Sequence, residues 1–268
     1  MHRLRPSALE RWDEIERRFA GRCPAVFLDY DGTLAPIAPR PELATLPEPT
    51  REVLRRLARR GPVAILSGRG REDVAALVGL DELTYAGSHG FDIAGPAVRR
   101  EVGEGIPERI EQASERLRRR LSGVEGVLVE PKRFAVAVHF RLADPADLPR
   151  IEAAVDAVQA ELPDLRKVHG KKIFELRPDL DWDKGRALLW LLDTLHLETA
   201  DGDVIPLYLG DDVTDEDAFR AVADRGIGIL VAEEPRETAA AYSLRNADEV
   251  RAFLERLALR GRNVSKQV

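Results

Sequence analysis

The chain has 268 residues, of which 44% are hydrophobic and 33% charged, and its formal net charge is -6. This length allows one large α/β domain or a core with a smaller second domain, and the acidic balance argues against partners such as nucleic acid or an acidic membrane surface. A single cysteine excludes an internal disulfide, and neither a membrane-spanning run nor the apolar core of a signal peptide is present, so we expect a cytoplasmic protein.

The first predicted elements lead to a pair of carboxylates. Apolar residues at helical spacing predict a helix over residues 7–19, and the apolar run 25–28 predicts a buried parallel strand that ends at Asp29 and Asp31. Ligands of open α/β sheets bind at this end of the strands. Two carboxylates two residues apart point to one side, so one could attack a phosphorus atom while the other handles the leaving-group proton. The spacing of the following glycine excludes an EF-hand loop, and an ordinary turn is the alternative.

The next two predicted strands end in residues that suit a phosphate ester. A helix over residues 52–60 precedes a strand over 62–66 that ends at Ser67 and Arg69, and a strand over 83–86 is followed by His89 between two glycines. A hydroxyl beside a glycine and a helix N-terminus favours an anion. The alternatives are that Ser67 caps a helix and that His89 is a solvated turn residue.

From about residue 102 the pattern changes to that of a second domain with its own core. The predicted helices and strands are those over residues 107–121, 127–133, 134–141 and 147–162, followed by a strand pair around Gly170. Alternation in these strands predicts a small antiparallel sheet with helices on one face and small or polar side chains on the other. We therefore expect residues 1–102 and 177–268 to form a catalytic core, and residues 103–176 a cap, or lid, covering the active site.

The chain then returns to core-like patterning and places a lysine at the start of a helix. Lys184 falls in the first turn of the helix that continues over residues 186–195. A cation there opposes the helix dipole unless an anion lies nearby, and a solvated lysine is the alternative.

A dense acidic run follows the next strand. The apolar strand 204–209 leads to five carboxylates within seven residues, which would repel one another without a compensating cation. We assign Asp215 and the two acids after it to the N-terminus of the following helix, which leaves Asp211 and Asp212 for a metal ion. A strand over residues 226–231 and a helix starting at Asn246 complete the alternating pattern.

Taken in this order, four motifs resemble those of the haloacid dehalogenase superfamily: residues 29–33, Ser67, Lys184 and residues 210–212. The resemblance implies a Rossmann-like α/β core with a parallel sheet, an inserted α/β cap of the C2 type, Mg²⁺ and an aspartyl-phosphate intermediate. It implies that Asp29 is the nucleophile and Asp31 the general acid and base, and that Ser67 and Lys184 hold the phosphate. The metal ligands that it implies are Asp29, Asp31, Asp211 and Asp212.

Longer stretches in both predicted domains resemble the trehalose-6-phosphate phosphatase family, namely residues 66–69, 87–90, 130–132, 137–141, 170–178 and 210–217. This resemblance implies hydrolysis of a sugar phosphate, trehalose 6-phosphate, with lid closure during the reaction and a functional pairing with a trehalose-6-phosphate synthase. The substrate-binding residues that it implies are Arg69, His89, Glu130, Lys132, His139 and Glu175.

Several alternatives remain at this point. Glu130 and Lys132 could form a surface ion pair. The enzyme could be a phosphatase for sucrose phosphate or mannosyl-3-phosphoglycerate, or a phosphomutase. From a different class, the chain could be a non-catalytic sugar-phosphate sensor or a regulatory partner of a sugar synthase.

Overall fold

The structure is a computed structural model that describes residues 5–38, 40, 43–170, 172–195 and 204–260. The chain divides into two units, Met1–Arg100 with Trp182–Val268, and Glu101–Asp181. Among the described residues, no helix combines the length and the apolar character needed to cross a membrane.

The strands are β1 (Cys23–Leu28), β2 (Val63–Leu66), β3 (Thr84–Gly87), β4 (Asp92–Gly95), β5 (Val98–Glu101), β6 (Leu128–Lys132), β7 (Ala135–His139), β8 (Leu165–Gly170), β9 (Ile173–Pro178), β10 (Val204–Gly210), β11 (Ile227–Val231) and β12 (Tyr242–Leu244). The α-helices are α1 (Trp12–Arg18), α2 (Glu48–Ala58), α3 (Arg71–Val78), α4 (Ile106–Leu121), α5 (Leu148–Glu161), α6 (Lys184–Thr194), α7 (Glu216–Val222) and α8 (Ala247–Leu259).

The larger unit is built on an eight-stranded sheet in the order β12-β11-β10-β1-β2-β3-β4-β5. The six strands from β12 to β3 are parallel, and β4 runs antiparallel to β3. The strand order reverses between β1 and β10, which makes their carboxyl ends the expected ligand site of the sheet. This confirms the predicted Rossmann-like core, to which the structure adds the unpredicted strands β4, β5 and β12.

Both faces of this sheet are covered, as the continuous apolar run of β1 predicts. Val26 and Leu28 join the hydrophobic cluster that contains residues of α2, α3 and α8, whereas Ala25 and Phe27 join the cluster that contains residues of α6 and α7. Successive side chains of a strand point to opposite faces, so β1 lies between the two helix layers. The carboxylates that follow β1 are thereby held on a rigid element.

The predicted first helix is shorter than expected. The helix begins at Trp12, because Ser7 forms a parallel bridge with Ser243 of β12. The residues between Ser7 and Trp12 form a turn that leads into the helix. The buried face of α1 still contains Ile15, which lies in the same hydrophobic cluster as Phe19.

The smaller unit contains the antiparallel sheet β6-β7-β9-β8, and α4 and α5 contact its strands. Val136 and Val138 are buried, together with their register partners Leu176 and Phe174. The intervening residues point to the other face by the alternation of the strands. That face contains Glu130, Lys132, His139, Glu175 and Arg177.

Candidate active site

A buried lysine between two buried aspartates forms the centre of the site. Lys184 Nζ lies 2.8 Å from Asp29 Oδ1 and 2.7 Å from Asp215 Oδ1. The three residues are 3%, 5% and 0% exposed, in that order. Asp29 follows β1, Lys184 begins α6, and Asp215 lies in a 3₁₀ turn after β10. The two carboxylates compensate for a cation at the unfavourable end of the helix dipole, so the lysine is not the solvated residue of the alternative interpretation.

Asp211 adds a third carboxylate to this centre. One carboxylate oxygen from each of Asp29, Asp211 and Asp215 lies within 4.8 Å of the others. Burial, followed by the charge of Asp215, raises the pKa of Asp211 to about 6. Burial also raises the pKa of Asp29 well above its usual value, although Lys184 acts to lower it. Buried carboxylates with raised pKa values are under-compensated by positive charge.

This cluster fits a divalent metal ion. Asp211 Oδ1 is buried and has no hydrogen-bond partner, although buried oxygens in proteins are nearly always paired. Carboxylate oxygens are the ligands that hard cations such as Mg²⁺ and Ca²⁺ prefer.

The interpretation that Asp215 serves only the N-terminus of the next helix, apart from the acidic centre, is wrong. Although Asp215 precedes α7, its side chain makes no capping hydrogen bond to that helix. Asp215 Oδ1 instead accepts from Lys184 Nζ and from the Tyr208 hydroxyl at 2.5 Å, and Oδ2 accepts from the backbone N–H of Asp212 at 2.9 Å. A sequence signal for this was Gly210, because a Cβ there would lie 2.3 Å from the carboxyl carbon of Asp215.

Asp212 is not among the three clustered carboxylates of the described residues. It is exposed, and its side chain accepts from the backbone N–H of Asp215 in a capping box at the 3₁₀ turn Val213–Asp215. Its metal-binding role therefore stays a prediction without support from this geometry.

Asp31 is bound by an arginine. Arg69 Nε donates to Asp31 Oδ2 at 2.7 Å and Arg69 Nη2 donates to Oδ1 at 2.6 Å. The guanidinium carbon of Arg69 also lies 5.5 Å from the ring centroid of Tyr30. Gly32, at φ 79°, turns the chain beside Asp211, where a Cβ would lie only 2.1 Å from Asp211 Oδ2. The structure thus pairs Asp31 with Arg69. Asp31 is itself a predicted metal ligand, but among the described residues it is not one of the three clustered carboxylates, so this role stays a prediction.

The loops after β2 and β3 are joined to each other. Ser67 is 1% exposed, and its Oγ accepts from the backbone N–H of Arg69 at 3.1 Å. Two backbone hydrogen bonds connect Ser88 to Arg69 and His89 to Ser67. The N-cap of α3 is Gly70, so Ser67 is not a helix cap. His89 adopts a left-handed conformation with φ 59° and its ring approaches Gly68, so it is a constrained residue.

The four remaining predicted substrate-binding residues lie in the smaller unit and form two pairs. Glu130 Oε2 is 2.8 Å from His139 Nε2, and Lys132 Nζ is 3.0 Å from Glu175 Oε1. The partner of Glu130 is therefore His139 and the partner of Lys132 is Glu175, whereas the alternative interpretation pairs Glu130 with Lys132. Arg177 also contacts Glu175, and the sequence analysis did not single it out. Lys171, which belongs to one of the motifs, lies outside the described residues.

An Asp-x-Asp pair after a central parallel strand, a buried lysine and a further acidic turn lie together at one end of the sheet. This is the arrangement that the resemblance to the haloacid dehalogenase superfamily implies. A haloacid dehalogenase-like hydrolase from Bacteroides thetaiotaomicron shares the fold with a TM-score of 0.62 at 14% sequence identity, over 88% of this chain and 100% of that one.

Comparison with known sequences is more specific. The family model described as trehalose-phosphatase matches residues 27–248. The probable trehalose-phosphate phosphatase D of Arabidopsis thaliana is 42% identical over 277 residues, which cover 96% of this chain and 74% of the relative. The structure of Aspergillus fumigatus trehalose-6-phosphate phosphatase has a TM-score of 0.70 at 26% identity and covers 94% of this chain and 98% of that one. The chain belongs to the trehalose-phosphatase family.

Proposed function

We propose that the protein hydrolyses trehalose 6-phosphate to trehalose and inorganic phosphate as a step of trehalose biosynthesis, using Mg²⁺ and an aspartyl-phosphate intermediate on Asp29. The observation that carries this proposal is the arrangement of buried Asp29 and Lys184 beside half-buried Asp211 in a chain of this family. The names of the relatives indicate the substrate, and the geometry of the site supports the chemistry.

The reaction has two displacements at phosphorus. In the first, a carboxylate oxygen of Asp29 forms a bond to phosphorus and the bond to the sugar oxygen breaks, while Asp31 gives its proton to that oxygen. In the second, Asp31 takes a proton from water, the water oxygen bonds to phosphorus, and the bond to Asp29 breaks. Inorganic phosphate leaves and both aspartates return to their starting states.

Positive charge must accompany the phosphate into a site that holds several carboxylates. Lys184 provides one such charge, and Ser67 is proposed to donate a hydrogen bond to a phosphate oxygen. Asp29 and Asp211 are the proposed ligands of Mg²⁺, with Asp215 beside them. Bound Mg²⁺ supplies charge neutralisation and a Lewis acid for the phosphoryl group.

Arg69 must release Asp31 before Asp31 can act as an acid. Both oxygens of Asp31 accept hydrogen bonds from Arg69, and an acid that gives a proton to the leaving oxygen needs one of them to face the substrate instead. We propose that the incoming substrate provides the competing partner for Arg69, which was predicted from the sequence to bind substrate. Proton transfer from Asp31 would then be coupled to the presence of substrate.

The smaller unit is proposed to act as the cap, with Glu130, Lys132, His139 and Glu175 binding sugar hydroxyls, and His89 contributing from the core. Carboxylates accept from hydroxyls and ammonium groups donate to them, which suits a polyol. We further propose a cytoplasmic location and a functional pairing with a trehalose-6-phosphate synthase, which would supply the substrate.

The test is phosphate release with Mg²⁺ from trehalose 6-phosphate, glucose 6-phosphate, sucrose 6-phosphate and mannosyl-3-phosphoglycerate. We expect kcat/KM for trehalose 6-phosphate to exceed the others by at least a hundredfold. Comparable rates on all four would contradict the substrate assignment, and a higher rate on another member would replace it.

Controls separate the chemistry from the substrate. Asp29→Asn should abolish turnover, and EDTA should abolish it reversibly, with Mg²⁺ restoring it. Full turnover by Asp29→Asn would contradict the nucleophile, and an unchanged rate in EDTA would contradict the metal. No phosphate release from any substrate by the wild-type protein would favour the sensor over the enzyme.

A further inference from the structure

A buried carboxylate in the smaller unit has more positive partners than its charge requires. Glu175 lies in β9 and is 8% exposed, on the sheet face opposite to its buried neighbours Phe174 and Leu176. Its Oε1 accepts from Lys132 Nζ at 3.0 Å, and its Oε2 accepts from Arg177 Nε at 2.8 Å and also from Arg177 Nη2. Two cations therefore converge on one carboxylate.

The second cation, Arg177, is not needed to neutralise Glu175, and its position costs electrostatic free energy. Lys132 by itself neutralises Glu175, and the close approach of Arg177 adds repulsion between like charges. Arg166 of β8 is directly in register with Arg177, which increases the positive charge at this end of the sheet. Arg177 adds geometry, because the planar fork of a guanidinium fixes the orientation of the carboxylate that it binds.

The two carboxylate oxygens of Glu175 therefore differ in their hydrogen-bond donors. Oε2 receives two N–H groups from Arg177, whereas Oε1 receives one from Lys132, which is itself 41% exposed in its side chain. A carboxylate oxygen has two lone pairs, so Oε1 retains the capacity to accept another donor, and Lys132 has N–H groups left to donate. Burial acts to raise the pKa of Glu175, but Arg177 and Lys132 outweigh it and hold the pKa below its usual value.

We propose that Arg177 is a positioning residue for substrate recognition, which orients Glu175 so that Oε1 and Lys132 Nζ together bind a hydroxyl group of a neutral sugar. A hydroxyl can donate to Oε1 and accept from Nζ at the same time, whereas a phosphate dianion has no proton to donate to Oε1. This inference rests on the proposed function, in which Glu175 and Lys132 bind the sugar of the sugar phosphate.

The test compares two substrates on four variants. We would measure kcat and KM for trehalose 6-phosphate and for p-nitrophenyl phosphate, which has no sugar, with Arg177→Gln, Arg177→Lys, Glu175→Gln and the control Arg166→Gln. Arg166 is exposed and lies in register with Arg177, so Arg166→Gln removes the same charge from the same region, whereas the hydrogen bonds to Glu175 come from Lys132 and Arg177.

We expect Arg177→Gln to lower kcat/KM for trehalose 6-phosphate at least tenfold relative to kcat/KM for p-nitrophenyl phosphate, mainly through KM. Arg177→Lys should recover part of this loss, because it keeps the charge and loses the fork. Arg166→Gln should change the ratio less than twofold. If Arg177→Gln does not fold, the comparison of Arg177→Lys with wild type decides.

The outcomes separate this inference from the function on which it rests. If Glu175→Gln leaves the ratio unchanged, the sugar-binding role of Glu175 fails and the inference fails with it. If Glu175→Gln lowers the ratio and neither Arg177 variant does, only the inference is overturned. A loss that is equal on both substrates would mean that Arg177 stabilises the fold, and would also overturn it.

Discussion

Replacing Tyr208 with phenylalanine removes one hydroxyl group and tests how much its hydrogen bond stabilises the charged residues of the site. Tyr208 is 0% exposed, and its hydroxyl donates to Asp215 Oδ1 at 2.5 Å. Hydrogen bonds to charged groups contribute about 1.5–3 kcal/mol, roughly twice the value of neutral ones. The ring packs edge-on against Phe219 with centroids 5.6 Å apart, and Tyr208→Phe keeps that contact. We therefore expect the free energy of unfolding to fall by about 1.5–3 kcal/mol.

The matched control is Tyr85→Phe. Tyr85 is also buried, and its hydroxyl donates to the backbone carbonyl of Leu80 at 2.7 Å, so its acceptor is neutral. This variant should lose about 0.5–1.5 kcal/mol. Both losses can be measured by urea unfolding, provided that the m-values agree, since a changed m-value would signal a change in the denatured state.

Activity gives a second measurement on the same pair of variants. Lys184 shares Asp215 Oδ1 with Tyr208, so Tyr208→Phe loosens the acceptor that orients Lys184 toward Asp29. We expect kcat to fall about tenfold in Tyr208→Phe, which corresponds to about 1.4 kcal/mol, and to stay near wild type in Tyr85→Phe. Equal stability losses in the two variants, or an unchanged kcat in Tyr208→Phe, would refute the reasoning.

Three further predictions concern the acidic cluster and its neighbours. In the metal-free protein the pKa of Asp211 is raised to about 6, whereas in an unfolded chain it is about 3.9. Between these pH values the folded state holds a proton that the unfolded state has lost, so the free energy of unfolding should fall as the pH rises. Saturating Mg²⁺ should therefore raise the melting temperature more at pH 7.5 than at pH 5, and a gain independent of pH would contradict this. Asp31→Asn should lower kcat by about 10²–10⁴ in steady-state assays while the protein stays folded, and a smaller loss would argue against general acid catalysis. Gly32→Ala would place a Cβ 2.1 Å from Asp211 Oδ2 at a φ of 79°, so calorimetry should show a lower melting temperature together with a loss of Mg²⁺ binding; normal Mg²⁺ binding would show that the loop can move.

The positions of the site residues on the sheet could be predicted from the sequence because strand ends are visible in it. Asp29 follows an apolar run that stops abruptly, and Asp211 follows another. The structure places these runs side by side as β1 and β10, so their carboxyl ends meet. Lys184 was recognisable because a cation in the first turn of a helix needs a nearby anion.

The partners of these residues could not be predicted in the same way. Asp215 is adjacent to two other acids at a helix start, where local rules favour solvent and the helix dipole. Its burial depends on the turn after β10, which places it beside Lys184, and on a hydrogen bond from the hydroxyl of Tyr208. The apolar pattern of β10 does not single out this tyrosine. The pairing of Asp31 with Arg69 joins residues 38 positions apart in sequence, and no periodicity reports it.

Short strands at the edge of the sheet were missed for a related reason. β4 and β5 have four residues each and contain charged side chains, so neither presents an apolar run. Asp92 of β4 is nevertheless 3% exposed, because Arg71 Nε lies 3.0 Å and Arg99 Nη1 lies 2.9 Å from its Oδ1. Ion pairs formed in the folded structure permit this burial, and the local sequence pattern does not reveal them.

Charge balance links the stability of the site to its proposed chemistry. Asp29, Asp211 and Asp215 carry three negative charges when ionised and Lys184 carries one positive charge, which leaves an excess of two negative charges in a buried cluster. Burial and the charge of Asp215 raise the pKa values of Asp29 and Asp211, so the metal-free cluster holds protons to a higher pH than free carboxylates do. A phosphate dianion would double the excess if it entered first. The cluster should therefore bind its divalent cation before the sugar phosphate, and substrate affinity measured without the cation should be weak at neutral pH and improve as the pH falls toward 6.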